Sequence, residues 1–366
     1  MGTVYNPLHR PYPLFFLGLG VITAYIPGII GASISTGCLF LLIVAPILFA
    51  YCEVSFGLGF VFICYASISL LWTEVLNIAW FHLLQLIVLS LVFVIGQNIK
   101  DLKAIFKGLA FGLGIASIAA IAQTFGYRGI FTLGNTPAGL FINPNIYSEI
   151  SAILLVSLVV LKLWWWIPVT LPGLLLVQSR AAYVGLGIGL LFWAWQVNRK
   201  LAIGLISIVV LMGAYFYWEK FDIRSIQERL DMWADTSNGL KLFGNGVGSY
   251  EALYPYYATY IDTEIARPRY AHTDLLQLIF EFGLGSILFI MVLINVFRSN
   301  KPETIILLTV CVISLFTYPL HVPVPAFVAF LVAGYLTADT SYNWNFWNNW
   351  GSSLFKRNTT GKFIKT

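Results

Sequence analysis

Charge is what this sequence lacks. Asp, Glu, Lys and Arg make up 10% of its 366 residues, against 59% hydrophobic residues, whereas a soluble globular domain carries about 25% charged residues. The mean hydropathy is +0.82. This composition excludes an ordinary water-soluble globule and implies a polytopic membrane protein. The net charge of +5 contains no long basic tract, which argues against a nucleic-acid-binding surface and leaves no nucleic acid among the expected partners. Cysteine is scarce too. Cys38, Cys52, Cys64 and Cys311 lie in apolar runs without metal-ligand spacing and read as small buried hydrophobes. The first apolar run follows Arg10 without a clear cleavage site, so a retained first helix is expected rather than a signal peptide. No internal repeat of roughly 20–50 residues is evident, nor is a separate soluble domain.

What the chain does have is apolar runs of membrane-spanning length. A spanning helix needs roughly 20 apolar residues, and on that rule about twelve spans are expected. They fall at 13–30, 33–51, 54–72, 75–97, 104–124, 146–162, 163–178, 181–197, 201–218, 273–297, 303–319 and 321–338. The pair 146–162 and 163–178 is separated only by Lys162 and the run Trp164-Trp165-Trp166. The expected fold is all-α: a single integral membrane bundle over 1–366, with one long external loop, 219–272, between spans nine and ten and containing short helices. Basic residues give the orientation, because they collect on the cytoplasmic side. One set of segments holds Arg10, Lys100, Lys103, Lys107, Lys162, Arg199, Lys200, Arg298, Lys301, Lys356, Arg357, Lys362 and Lys365. The short connections opposite hold only Arg128 and Arg180, so both termini are expected in the cytoplasm and the long loop outside. The tail places Trp344, Trp347 and Trp350 at a spacing that suits an interfacial anchor.

The long loop holds most of the polar chemistry. It opens with Ser225 and Glu228 in a capping-box pattern, and Ile226, Leu230 and Trp233 then fall on one helical face. This predicts a short amphipathic helix on the membrane surface with Arg229 at its flank. The alternating glycines of Gly244-Asn245-Gly246-Val247-Gly248 are followed by no βαβ pattern. A tight loop seated against the helices fits them better than a dinucleotide cradle. Tyr250, Tyr254, Tyr256, Tyr257, Tyr260 and Tyr270 suit a membrane interface or a platform for sugar rings. Asp262 and Glu264 have the spacing of a metal-binding pair, but two carboxylates alone rarely suffice for a divalent cation. No metal or other cofactor is expected.

Arg267, Arg269 and His272 crowd the start of span ten, where Asp274, Gln277 and Glu281 form a polar stripe in an apolar segment. Ionisable residues in such segments mark functional sites by default. Gln178-Ser179-Arg180, and Asn143-Pro144-Asn145 with Glu149 one turn further, stand at other external connections. A guanidinium is a fork that matches phosphate, so several arginines converging at one membrane face point to a pyrophosphate or similar dianionic headgroup.

These residues resemble the O-antigen ligase and polymerase superfamily of bacterial membrane glycosyltransferases. The resemblance rests on Ser179-Arg180-Ala181, on Arg229 with Trp233 and the glycine run 242–248, and on His272-Thr273-Asp274-Leu275-Leu276-Gln277. Asn143-Pro144-Asn145 and Tyr318-Pro319-Leu320-His321 also fit, and Thr273 stands where the family more often has Asn. The resemblance covers roughly 140–335. It implies an undecaprenyl-pyrophosphate-linked glycan as donor, a glycan, lipid A core or protein as acceptor, and surrounding membrane lipid. The expected place is the bacterial cytoplasmic membrane, with the site facing the periplasm. By motif, Arg180 and Arg229 hold the pyrophosphate and His272 is the base; Arg267 and Arg269 are expected beside the pyrophosphate at the rim, and Asp274, Gln277, Glu281, Asn145 and His321 in support. The implied reaction is inverting and metal-independent. A transporter or flippase, which would spread charges along a central path, is the second reading. A structural scaffold is the third and leaves the Arg and His cluster unexplained.

Overall fold

A computed structural model describes Leu8, 10–23, 43–45, Leu48, Cys52, 58–127, 136–141, 143–204, Ile206, 223–259, 268–338, 356–357 and 363–364. Apart from a short antiparallel pairing of Lys356–Arg357 with Phe363–Ile364, every described element is helical. In chain order these are α1 (Pro11–Thr23), α2 (Leu58–Ile68), α3 (Leu76–Asn98), α4 (Lys103–Thr124), α5 (Pro144–Val160), α6 (Leu171–Val177) and α7 (Arg180–Val197). There follow α8 (Ile223–Asn238), α9 (Tyr250–Leu253), α10 (Asp274–Phe282), α11 (Ser286–Phe297), α12 (Thr304–Ser314) and α13 (Pro323–Thr337).

The all-helical expectation holds for these elements, but the span count is not confirmed. Three described stretches are long and apolar enough to cross a membrane: α3, α4 and the run from α10 into α11. Most of the remaining apolar helices are 10–17 residues long. The expected spans 33–51 and 201–218 lie largely outside the described residues. The tail tryptophans and the Asp262/Glu264 pair lie outside them entirely.

Helices meet where small residues let backbones touch. A Cβ on Gly18 of α1 would collide with the carbonyl oxygen of Ile105 in α4, and one on Gly108 of α4 with that of Phe15. Gly96 of α3 and Gly334 of α13 are related in the same way, through Leu331 and Phe93. This is the small-residue packing that apolar surroundings favour, since a lipid tail competes well with any Leu–Leu contact. The core built on these crossings is aliphatic and aromatic, with Phe106, Tyr147, Phe141 and Phe327 fully buried.

Several connections set the site. At the end of α5, Lys162 takes a left-handed backbone (φ 58°), and the chain re-enters as the 3-10 stretch Trp164–Thr170 leading into α6. This is the turn marked in the sequence by Lys162 and the three tryptophans. Asn143 caps α5 by accepting the backbone N–H of Asn145 at 2.9 Å, with Pro144 at the first helical position. Gln178, also left-handed (φ 59°), ends α6, so that Arg180 opens α7.

The expected span 273–297 is two helices rather than one. Gly283 (φ 52°) ends α10, and a 3-10 turn over Gly283–Gly285 leads into α11. The glycine loop docks at this break. Asn245 and Gly246 donate backbone N–H groups to the carbonyls of Phe280 and Glu281 at 3.0 and 2.9 Å, and Leu284 donates to Leu242 at 2.8 Å. Carbonyls orphaned at the helix end are thereby satisfied. The positive φ values of Gly244 and Gly246, 74° and 94°, make the approach possible. The sequence reading of a tight loop seated on the helices describes this arrangement.

Candidate functional site

The site is assembled on the long loop's first helix. Helix α8 begins at Ile223, so Ser225 lies inside it and not at its cap. Its packed face is Met232, Asp235 and Thr236, all buried, while Ile226 and Leu230 stay exposed. The exposed apolar pair is the side that the sequence assigned to a membrane surface. Arg229 and Trp233, one turn apart, reach towards the rest of the site. Arg229 donates through Nη1 to the carbonyl of Phe316 at 3.1 Å, and Trp233 donates its indole N–H to the carbonyl of Ala271 at 2.8 Å.

His272 follows Ala271. Its backbone is left-handed (φ 51°), a conformation that few residues other than glycine adopt, though His, Asn and Asp do so more often than the rest. Its ring lies edge-on to Tyr318, centroids 5.2 Å apart. Burial and then the nearby Arg229 guanidinium push its pKa down to about 4. Among the described residues no group hydrogen-bonds Nδ1 of this imidazole.

Around Arg229 the field is set by Arg180 and by Glu149; partial burial, the Arg180 charge and, in opposition, Glu149 together lower its pKa. Glu149, at 3% exposure, sits within reach of Thr317 and feels both Asp274 and Arg229. Arg269 pairs with Glu251 (3.3 Å) on exposed ground and lies close enough to act on Tyr318. Arg180, Arg229, Arg269 and His272 are thus brought together from α7, α8 and the segment before α10. Arg267 lies outside the described residues.

The polar stripe of α10 is used internally. Asp274 receives the backbone N–H of Leu320 at 3.0 Å and the ring Nδ1 of His321 at 2.7 Å. Gln277 accepts the backbone N–H of Ala271 (3.2 Å) and donates to Glu281 (3.0 Å), which in turn accepts the backbone N–H of Gly248 at 2.8 Å. Each side chain therefore ties α10 to a different loop. Behind the stripe lies a mainly apolar pocket of about 190 Å³, lined by Phe62, Leu86 and Phe289 together with His82, Asp274, Glu281 and His321. Asn145 is exposed at the start of α5, and its neighbour Asn143, not Asn145, hydrogen-bonds Tyr318.

Two contacts of the site were not legible in the sequence. Tyr270 stacks on Tyr318 (4.3 Å between centroids, 24° between planes), and His82 faces His321 at 6.5 Å. Tyr318 carried a signal only through its motif with His321, and His82 none beyond being a polar residue within an apolar run. The other tyrosines divide. Tyr250 and Tyr254 are buried in a small core with Phe280, whereas Tyr256 is 81% exposed. The described tyrosines of the loop therefore form no continuous platform. No group of three His, Cys, Asp or Glu side chains able to hold a metal occurs among the described residues.

The O-antigen ligase family model matches residues 169–293. This match supports placing the chain in the O-antigen ligase and polymerase superfamily. The O-antigen ligase segment contains Arg180, Arg229, Arg269 and His272 and ends before Tyr318 and His321. The match covers only residues 169–293; with the apolar helices it points to a membrane protein and, in general terms, to glycan transfer between a lipid-linked glycan and an acceptor. No curated protein matches the chain.

Proposed function

We propose that this chain transfers a glycan from an undecaprenyl-pyrophosphate donor to an acceptor hydroxyl, at the external face of a bacterial cytoplasmic membrane. The observation that carries the proposal is the nearness of Arg229, held on the Phe316 carbonyl, to both Arg180 and His272. Two guanidinium groups held near one another repel, and at Arg229 the neighbouring Glu149 acts in the opposite sense. A dianionic pyrophosphate is the ligand that relieves that repulsion, and it is also the leaving group whose developing charge needs fixed positive partners. An acceptor hydroxyl loses its proton as it attacks the anomeric carbon; a neutral imidazole beside the arginines is placed to take it. Arg180 and Arg229 bind the pyrophosphate, with Arg269 and Arg267 at the rim, and His272 serves as base. Charge stabilisation by arginine makes a divalent cation unnecessary. A bundle of about twelve spans, with both termini in the cytoplasm, places the long loop and this site outside.

The test is transfer by the purified protein from a lipid-linked oligosaccharide, with free glycan, lipid A core or a protein as acceptor, with and without EDTA. Transfer that survives chelation is expected. His272→Ala should spare donor binding and lower turnover about 10²–10⁴-fold, the usual cost of a lost general base. Wild-type turnover in that variant would end the base assignment. Activity abolished by EDTA and restored by Mn²⁺ or Mg²⁺ would move the chemistry to a metal, with Asp262 and Glu264 the first residues to test. The acceptor that supports transfer separates ligase, polymerase and protein-glycosylating activities.

A further inference from the structure

His272 has an unusual support. In most catalytic histidines the second ring nitrogen is held by a carboxylate or a carbonyl, which fixes both tautomer and orientation. Here no described residue bonds Nδ1, and the backbone is left-handed. The ring packs T-shaped against that of Tyr318, with 77° between their planes. Tyr318 is stacked on Tyr270, and Tyr270 lies against His321, centroids 5.1 Å apart. The series ends on Asp274, whose Oδ1 is 2.7 Å from Nδ1 of His321 and whose Oδ2 accepts the Leu320 N–H at 3.0 Å.

We propose that the Asp274–His321 pair is the positioning device of the site: by clamping the 318–321 turn to the start of α10 it sets the Tyr270–Tyr318 stack that orients the ring of His272. Only the kinetic arm of this proposal rests on the glycan-transfer reading; the geometric arm does not. Asp274 is two residues from His272, so it anchors the His272 segment from one side, while Trp233 and Gln277 hold Ala271 on the other. Both Asp274 oxygens are engaged and the side chain is 5% exposed, which makes it a fixed strut rather than a solvated acid. His321 is backed from α3, where Gln85 donates to its carbonyl at 3.4 Å. Neither His321 nor Asp274 needs to touch substrate for this role. Their effect passes through two aromatic rings, whose preferred offset and edge-on contacts are geometrically selective.

The experiment compares His321→Asn, His321→Gln and His321→Ala in the full-length protein. An Asn amide nitrogen stands where Nδ1 stands and keeps the bond to Asp274; Gln carries its nitrogen one carbon further out, and Ala has none. The rate at which diethyl pyrocarbonate modifies His272, followed by mass spectrometry, reports the ring's freedom without reference to activity. The Asn variant should label His272 at the wild-type rate within about threefold and retain most of its turnover. The Gln and Ala variants should label it several-fold faster and lose about 10- to 100-fold in kcat, the order expected when a reacting group is misplaced by about 1 Å. Donor KM should stay within about twofold, which separates misorientation from loss of binding or of fold. If Ala does not fold, the Asn–Gln contrast still decides. Equal behaviour of Asn and Gln, or wild-type labelling and turnover in Ala, overturns the proposal. Should the labelling pattern hold while the wild-type protein transfers no glycan, the proposed reaction fails and the positioning role stands.

Discussion

Trp233 donates its indole N–H to the carbonyl oxygen of Ala271, 2.8 Å away, and so fastens the long loop's first helix to the residue that precedes His272. Arg229 lies one turn before Trp233 on the same helix and reaches the Phe316 carbonyl. The Arg-x-x-x-Trp spacing is therefore a mechanical unit. One helical turn brings both side chains to the same side, so the guanidinium and the histidine segment keep a fixed separation.

Replacing Trp233 with Phe keeps the ring and removes the donor. Losing one neutral hydrogen bond costs about 1 kcal/mol of stability, and the buried Ala271 carbonyl is left without that partner. The midpoint of thermal unfolding should fall by a few degrees and turnover should fall further than stability alone explains. An unchanged kcat in a Trp233→Phe protein of lowered stability would show that the tether does not position His272.

Arg229→Lys keeps the charge and loses the planar fork. Donor affinity should weaken about 10- to 100-fold, from the roughly 1.5–3 kcal/mol that a hydrogen bond to a charged group contributes. Direct binding of the lipid-linked donor, measured beside turnover, checks this. Affinity equal to wild type would remove Arg229 from the pyrophosphate site.

The imidazole of His272 has a pKa lowered to about 4, first by burial and then by Arg229. A base must be unprotonated, so kcat/KM, which reports the free enzyme, should stay level down to about pH 5 and fall only near 4. Bound pyrophosphate offsets the Arg229 charge, so the acid limb of kcat should lie higher than that of kcat/KM. The stability consequence has a definite sign. Between pH 4 and the ordinary value of 6.5 the unfolded chain binds the proton and the folded one does not, so stability rises with pH across that window and is level beyond it. His272→Gln should flatten this slope. A kcat/KM limb at or above pH 6.5 in the wild type would contradict the buried, neutral histidine.

A cysteine placed near Tyr256, which is exposed, should react with an impermeant maleimide in intact cells, and one near Lys362 should not. Labelling of the tail but not the loop would invert the proposed topology and put the arginines on the cytoplasmic side.

The sequence by itself determined the class of structure and the parts of the site. Uninterrupted apolar runs of roughly twenty residues call for helices in an apolar medium, because a helix bonds its backbone groups within its own segment. The family resemblance pointed to Arg180, Arg229 and His272, and the crowding of charge before span ten to Arg269, before any fold was known. The turn at Lys162 and the cap at Asn143 were likewise local, since each depends on residues within a few positions. Only the tertiary structure decided how those parts are used. Glu281 has the polar character of a site residue, yet it holds Gly248; Asp274 holds His321 across 47 positions of sequence. The break at Gly283 exists because a loop about forty residues earlier in the chain supplies the missing hydrogen-bond donors. Tyr270 and Tyr318 have nothing in sequence to pair them, because stacking is a contact between distant segments. Periodicity encodes which face of an element is apolar; it does not encode which distant loop meets that face.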